Sequence, residues 1–159
     1  MTRRNLIAML GVLGLAMRAA RSPADTSPAI EPLVLSDAEW KARLTPEQYR
    51  VLRDEGTERA GSSPLDHEQR KGHFLCAGCA LPLFGSEMKF NSGTGWPSFF
   101  TTLPGAVQTK SDFSLIFPRT EYHCARCGGH QGHVFDDGPA PTGKRYCNNG
   151  VALQFEVAA

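Results

Sequence analysis

Four of the five cysteines form two Cys-x-x-Cys pairs, and these pairs constrain the fold more than any other feature of the sequence. They are Cys76-Ala77-Gly78-Cys79 and Cys124-Ala125-Arg126-Cys127. Two intervening residues and small neighbours let both sulfurs of a pair turn toward one ion, and four thiolates complete the tetrahedral shell of a structural zinc ion. Because residues 80–123 separate the pairs, the metal would join two distant chain segments. We therefore predict a structural Zn²⁺ site with ligands Cys76, Cys79, Cys124 and Cys127.

Two redox dithiols or two disulfides are the alternative for the same four residues, because an oxidising compartment favours disulfides. The fifth cysteine, Cys147, has no partner by count. An odd number of cysteines argues against a pure disulfide framework. One thiol is therefore left over for chemistry.

Length and charge limit the classes of protein to which the chain can belong. Its 159 residues allow one globular domain and a short appendage. With 17 Lys and Arg against 16 Asp and Glu, the formal net charge is +1, so no charge excess favours nucleic acid or an acidic membrane. We expect no nucleic-acid partner.

Residues 1–24 are typical of an export signal peptide. Arg3 and Arg4 precede an apolar run that ends near Met17, with no acidic residue before Asp25. The run is shorter than the about 20 residues that span a bilayer, so no stable membrane span is expected. The arginine pair resembles a twin-arginine signal and predicts a periplasmic location. A membrane tether through an uncleaved leader and a mitochondrial presequence remain the alternatives.

Residues 25–34 are predicted to be a linker, and residues 35–159 the catalytic domain. Ser36 with Glu39, and Thr45 with Gln48, each form the pattern that begins a helix. Beyond about residue 72, short apolar runs such as 113–117 and 132–135 are separated by Gly and Pro. Alternation of Val151, Leu153, Phe155 and Val157 predicts a half-buried final strand. We expect a mainly β fold of antiparallel strands with two short flanking helices at its N-terminal side.

Three further motifs carry candidate functional residues. Cys147 lies in a polar segment beside Lys144 and Arg145, whose charges favour a thiolate nucleophile, although a lone cysteine is often only a buried apolar residue. His130 and His133 are candidate proton donors, candidate metal ligands, or merely polar residues of a strand. Trp96, between Gly95 and Pro97, suits a rigid wall for a small methyl group, or belongs to the core.

Together these motifs resemble the methionine sulfoxide reductase B family. The resemblance rests on Gly95-Trp96-Pro97-Ser98-Phe99, the two cysteine pairs, Gly129-His130 with Gly132-His133-Val134-Phe135, and Arg145-Tyr146-Cys147 with Asn149, and it covers about residues 35–157. It implies a fold of two antiparallel sheets. It also implies reduction of the R epimer of methionine sulfoxide in oxidised proteins.

The resemblance further implies a role for each site residue. Cys147 attacks the sulfoxide sulfur and becomes a sulfenic acid. His130, His133 and Asn149 hold substrate or water and assist proton delivery, and Arg145 helps to keep Cys147 ionised. Trp96 and Phe135 contact the S-methyl group of the substrate.

The sequence departs from the family pattern at one position. Many members carry a resolving cysteine two residues before the tryptophan, where this chain has Thr94. An internal disulfide would then need one of the zinc ligands. We therefore expect an external reductant, either a thioredoxin-like protein or a small thiol.

Two rival functions remain open on the residues alone. A zinc-ribbon module would bind a protein or nucleic acid without turnover, and Cys147 would be inert. A thiol oxidoreductase would use one Cys-x-x-Cys pair for redox chemistry and would hold no metal.

Overall fold

The computed structural model describes residues 30–114 and 117–158. The predicted leader, residues 1–24, and the first residues of the predicted linker lie outside this part. Helix α1 spans Asp37–Arg43 and helix α2 spans Pro46–Leu52. Each begins with a capping box, in which Ser36 and Thr45 accept hydrogen bonds from the backbone three residues on. Both predicted helix starts are confirmed.

The strands form two antiparallel sheets, as predicted for a mainly β fold. A three-stranded sheet has the order β2-β1-β9 and a six-stranded sheet the order β3-β4-β8-β7-β6-β5. The strands of the described part are β1 Gly72–Cys76, β2 Pro82–Gly85, β3 Lys89–Phe90, β4 Ser98–Phe99, β5 Val107–Asp112, β6 Arg119–Cys124, β7 His130–Phe135, β8 Arg145–Asn148 and β9 Leu153–Val157. Three short 3₁₀ turns, Pro64–His67, Ser86–Met88 and Gly150–Ala152, connect them.

Aromatic side chains pack the two sheets against each other. Phe84 of β2 stacks on Phe99 of β4 with ring centroids 3.9 Å apart. Phe74 of β1 meets Phe99 edge-on at 4.9 Å, and Tyr122 of β6 meets Phe84 edge-on at 6.4 Å. All four rings are fully buried. This packing fixes the six-stranded sheet as a rigid support for the site.

The predicted final strand begins later than expected, and one of the apolar runs forms no strand where the structure describes it. The apolar run 113–117 is no strand in its described residues: β5 ends at Asp112, and Phe113 and Phe117 are 74% and 80% exposed. Val151 lies in a 3₁₀ turn, so the final strand begins at Leu153. The turn is needed because Gly150 and Val151 donate their backbone N–H groups to a buried carboxylate, that of Glu58.

The register of the larger sheet places a row of polar residues side by side. Cys147 on β8 lies opposite Ser98 on β4 and opposite His133 on β7. His133 in turn lies opposite Glu121 on β6. Directly opposite residues on neighbouring antiparallel strands project from the same face of a sheet. Four residues that are far apart in sequence therefore form one continuous row.

In the part of the chain that the structure describes, no helix is both long and apolar enough to cross a membrane.

Candidate active site and zinc centre

The two cysteine pairs converge at one end of the sheets. Cys76 and Cys124 end β1 and β6, and Cys79 and Cys127 lie in the turns that follow. All four sulfurs lie within 4.8 Å of one another; Cys76 and Cys127 are 3.6 Å apart, and Cys79 and Cys124 3.5 Å. A tetrahedral zinc ion with Zn–S bonds of about 2.3 Å requires sulfurs separated by about 3.8 Å. The four cysteines are buried free thiols, and their spacing fits zinc.

A buried hydrogen-bond network connects this centre to the segment after Cys147. The Nε2 of Gln131 donates to the Sγ of Cys76 at 3.4 Å, and its Oε1 accepts from the Nδ2 of Asn148 at 3.3 Å. The hydroxyl of Tyr122 donates to the Oδ1 of Asn148 at 2.6 Å. Gln131, Asn148 and Tyr122 are fully buried. The four-cysteine cluster therefore supports the strand that carries Cys147.

Cys147 lies at the edge of a cleft of about 130 Å³. The cleft brings together five residues predicted from the sequence: Trp96, His133, Phe135, Cys147 and Asn149. Gly132 makes this arrangement possible, because a Cβ atom there would lie 1.9 Å from the carbonyl oxygen of Cys147. The glycine between the two histidines thus allows β7 and β8 to approach closely beside the thiol.

Burial raises the pKa of the Cys147 thiol above its usual value. The positive charge of Arg145 and hydrogen bonds from Thr94 and Arg145 act in the opposite direction. The predicted influence of Arg145 is therefore present, but burial outweighs it. Lys144, also expected to favour the thiolate, pairs instead with Asp136 on the exposed surface. At neutral pH the resting side chain is the neutral thiol.

The two histidines have different surroundings. The Nε2 of His133 lies 2.7 Å from the Oδ2 of Asp112, whose pKa is held far below its usual value, chiefly by hydrogen bonds from Ser114. Burial lowers the pKa of His133, and Asp112 partly opposes that effect. At neutral pH His133 is therefore a neutral imidazole that donates its Nε2–H to Asp112 and leaves Nδ1 as an acceptor.

His130 lies behind His133 and does not line the cleft. Their ring centroids are 5.4 Å apart, and His130 is 2% exposed. Its Nδ1 is 2.8 Å from the Oε1 of Glu121, and its Nε2 has no hydrogen-bond partner among the described residues. Despite burial, the pKa of Glu121 is lowered by its hydrogen bonds with His130 and His123. Glu121 therefore orients the His130 ring.

Residues outside the cleft position its two aromatic side chains, Trp96 and Phe135. The indole Nε1 of Trp96 donates to the backbone oxygen of Glu58 at 3.2 Å. The guanidinium of Arg145 lies 4.4 Å from the centroid of the Phe135 ring and forms a two-point ion pair with Asp137, with distances of 2.8 and 2.7 Å. Arg145 thus supports one wall of the cleft as well as acting on the thiol.

Asn149 lines the cleft, but backbone groups engage both ends of its amide. Its Oδ1 accepts from the N–H of Glu58 at 2.9 Å, and its Nδ2 donates to the carbonyl of Gln131 at 3.0 Å. The second hydrogen of Nδ2 remains for a ligand. In addition to its predicted contact with substrate or water, Asn149 therefore connects the backbone at Glu58 to the backbone at Gln131.

Several charged residues of the site were not predicted from the sequence: Glu58, Asp112, Arg119, Glu121 and Asp137. Charged residues in strands and loops usually face solvent. An isolated charged residue forms no sequence motif that would indicate a buried, functional position. The segment Arg119-Thr120-Glu121 carried one usable clue, since it ends three positions before Cys124, the first residue of a Cys-x-x-Cys pair. Glu121 is 2% exposed, and Arg119 lines the cleft.

Comparisons with known proteins agree with this geometry. The SelR domain family matches residues 44–157. The peptide methionine sulfoxide reductase MsrB of Methanosarcina barkeri is 55% identical over 123 residues, covering 77% of this chain and 87% of the relative. The MsrB proteins of Agrobacterium fabrum and Leptospira interrogans are each 52% identical, covering 82% and 76% of this chain and 96% and 93% of their own length. The chain therefore belongs to the methionine sulfoxide reductase B family.

Proposed function

We propose that this chain reduces the R epimer of methionine sulfoxide in oxidised proteins, with Cys147 as the nucleophile. One observation carries the proposal. Cys147 and His133 lie directly opposite each other on neighbouring strands and share a cleft with Trp96 and Phe135. A thiol, a proton carrier and an apolar wall are the groups that sulfoxide reduction requires. The R epimer, rather than the S epimer, follows from the family resemblance.

The chemical step transfers one oxygen atom. The sulfur of Cys147 attacks the sulfoxide sulfur, the bond between substrate sulfur and oxygen breaks, and the oxygen ends on Cys147 as a sulfenic acid. The cysteine loses two electrons and the substrate gains them, so that methionine is released. Trp96 and Phe135 hold the S-methyl group during this step, and the charge of Arg145 favours the thiolate as it forms.

His133 supplies a route for the proton. The thiol and the imidazole are both neutral at rest, because burial raises the pKa of Cys147 and lowers that of His133. Transfer of the thiol proton to Nδ1 of His133 produces the nucleophile and a proton donor together. Asp112 stabilises the imidazolium through Nε2, and the proton then passes to the sulfoxide oxygen, which leaves readily only when protonated. Asn149 holds substrate or water beside this path, whereas His130 packs against His133 from behind the cleft.

An external thiol completes the cycle. Thr94 occupies the position of the family's resolving cysteine, and the other four cysteines are buried in the metal centre. Attack of an incoming thiol on the sulfenic acid releases water and forms a mixed disulfide, which a second thiol resolves to regenerate Cys147. A thioredoxin-like protein or a small thiol fits this role.

Cys76, Cys79, Cys124 and Cys127 would hold a zinc ion that joins β1 to β6. With four thiolate ligands this ion would have a structural role and would take no part in the reaction. Every reacting group proposed above belongs to the cleft.

Export through the twin-arginine leader in residues 1–24 is part of the proposal, since this pathway carries folded proteins that have already bound their metal. Replacement of Arg3 and Arg4 by lysine in a bacterial host should retain the protein in the cytoplasm. An unchanged periplasmic fraction would exclude this route.

The decisive experiment supplies a peptide that carries both sulfoxide epimers, together with dithiothreitol, to the wild-type chain and to Cys147→Ser. Chromatographic separation should show loss of the R epimer alone, and Cys147→Ser should abolish it. With zinc-loaded, folded protein, persistence of both epimers would refute the proposal. One turnover without thiol should add a single oxygen to Cys147; a stable internal disulfide would contradict external recycling.

A further inference from the structure

Glu58 uses all its hydrogen-bonding groups to connect the two walls of the cleft. It lies in the loop after α2 and is 3% exposed. On one side, its backbone oxygen accepts the indole N–H of Trp96 at 3.2 Å. On the other, its N–H donates to the Oδ1 of Asn149 at 2.9 Å, and its carboxylate accepts from the N–H groups of Gly150 and Val151 at 2.6 and 2.8 Å.

These contacts join two segments that are far apart in sequence. Trp96 precedes β4, whereas Asn149 and Gly150 directly follow β8, the strand that carries Cys147. The carboxylate anchors the loop to the second segment, and the backbone oxygen of the same residue then positions the indole. Movement of Glu58 would therefore change the separation of Trp96 from Cys147.

We infer that Glu58 is a positioning residue that sets the width of the cleft and thereby its selectivity for S-methyl over larger S-alkyl groups. The inference rests on the proposed function, which supplies the sulfoxide substrate. Glu58 touches neither substrate nor thiol, since the cleft is lined by its neighbour Thr57. It acts through Trp96 and Asn149.

Glutamate suits this position better than glutamine. Each carboxylate oxygen accepts one backbone N–H, whereas the amide nitrogen of glutamine would face one of these donors without an acceptor. Hydrogen bonds from N–H groups to a buried carboxylate are stronger than bonds between neutral groups. Gly150 permits the close approach of Ser63 to this segment, because a Cβ atom there would lie 2.1 Å from the Oγ of Ser63.

The test compares methionine sulfoxide with ethionine sulfoxide as N-acetyl amides, using full-length wild type, Glu58→Gln, Glu58→Ala and the control Glu47→Gln. Glu47 is an exposed residue of α2. One methylene in a hydrophobic pocket changes kcat/KM by about 10-fold or more. We expect the ratio of kcat/KM for the methyl substrate to kcat/KM for the ethyl substrate to fall about 10-fold in both Glu58 variants, because KM for the methyl substrate rises. The ratio should stay unchanged in Glu47→Gln.

Acrylamide quenching of tryptophan fluorescence provides a readout that needs no catalysis. Trp40 is 3% exposed, so added quenching in a folded Glu58 variant reports Trp96. If the wild type reduces neither sulfoxide, the proposed function is refuted. Increased quenching in the Glu58 variants would still support the inference in that case. An unchanged ratio and unchanged quenching in zinc-loaded Glu58→Gln would overturn the inference.

Discussion

Tyr122→Phe removes one oxygen atom from the interior and tests the buried network behind Cys147. The Tyr122 hydroxyl donates to the Oδ1 of Asn148 at 2.6 Å, and both residues are 0% exposed. The substitution leaves Oδ1 buried without a partner, because the Nδ2 of Asn148 bonds Gln131 and Asn149 separately. A buried acceptor that loses its partner costs about 1–3 kcal/mol. Because water has no access here, we expect the free energy of unfolding to fall by about 2 kcal/mol.

Tyr146→Phe provides a matched control. Tyr146 packs edge-on against Tyr122 with ring centroids 5.3 Å apart, but it is only half-buried, and its hydroxyl has no hydrogen bond among the described residues. Its loss should change the free energy of unfolding by less than about 0.5 kcal/mol. Urea denaturation of zinc-loaded proteins, followed by circular dichroism, measures both values. Equal effects of the two substitutions would refute the argument that burial of Asn148 makes this hydrogen bond important.

Three further predictions concern the metal centre and the cleft. Cys124→Ser should reduce bound zinc, measured by metal analysis, and should lower Tm, because three thiolates cannot complete the shell; full zinc occupancy would contradict the assignment. The rate of Cys147 alkylation by iodoacetamide should rise with pH through a pKa above the usual thiol value, and Arg145→Met should move that pKa still higher because Arg145 lowers it; a downward shift would contradict this. The raised pKa of this thiol in the folded state also contributes to stability. This contribution is complete at pH values below the pKa of the thiol in the unfolded chain, and it is lost as the pH rises through the pKa in the folded protein. Asp112→Asn should lower the pKa of His133 further, as read by NMR titration, because Asp112 raises it; an unchanged pKa would exclude their coupling.

The helices and the metal ligands were predictable because each depends on local sequence. A capping box needs only residues three positions apart, such as Ser36 and Glu39. A Cys-x-x-Cys pair places two sulfurs on one turn whatever the rest of the fold. The two-sheet architecture, by contrast, was predicted through the family resemblance, since short alternating runs do not specify which strands pair.

The run 113–117 shows why apolar composition alone does not specify a strand. Its sequence has β-forming residues, yet β5 ends at Asp112. The Oδ1 of Asp112 accepts the N–H of Ser114, and its Oδ2 lies near His133 and Arg119. Asp112 pairs with Arg119 at the end of the β5–β6 ladder, so the run lies in the connection between these strands, and His133 is distant in sequence.

The sequence by itself determined the chemical groups of this protein: four thiols in two Cys-x-x-Cys pairs, a separate Cys147, a pair of histidines and a tryptophan between Gly95 and Pro97. Only the tertiary structure decided their relations. The register of β4, β8, β7 and β6 aligns Ser98, Cys147, His133 and Glu121 in one row, and burial raises the pKa of the thiol despite Arg145. Glu58 belongs to the site through its contacts with Trp96, Asn149, Gly150 and Val151, which no sequence pattern indicates. The physical reason is that strand register and desolvation depend on partners distant in the chain, which no local pattern encodes.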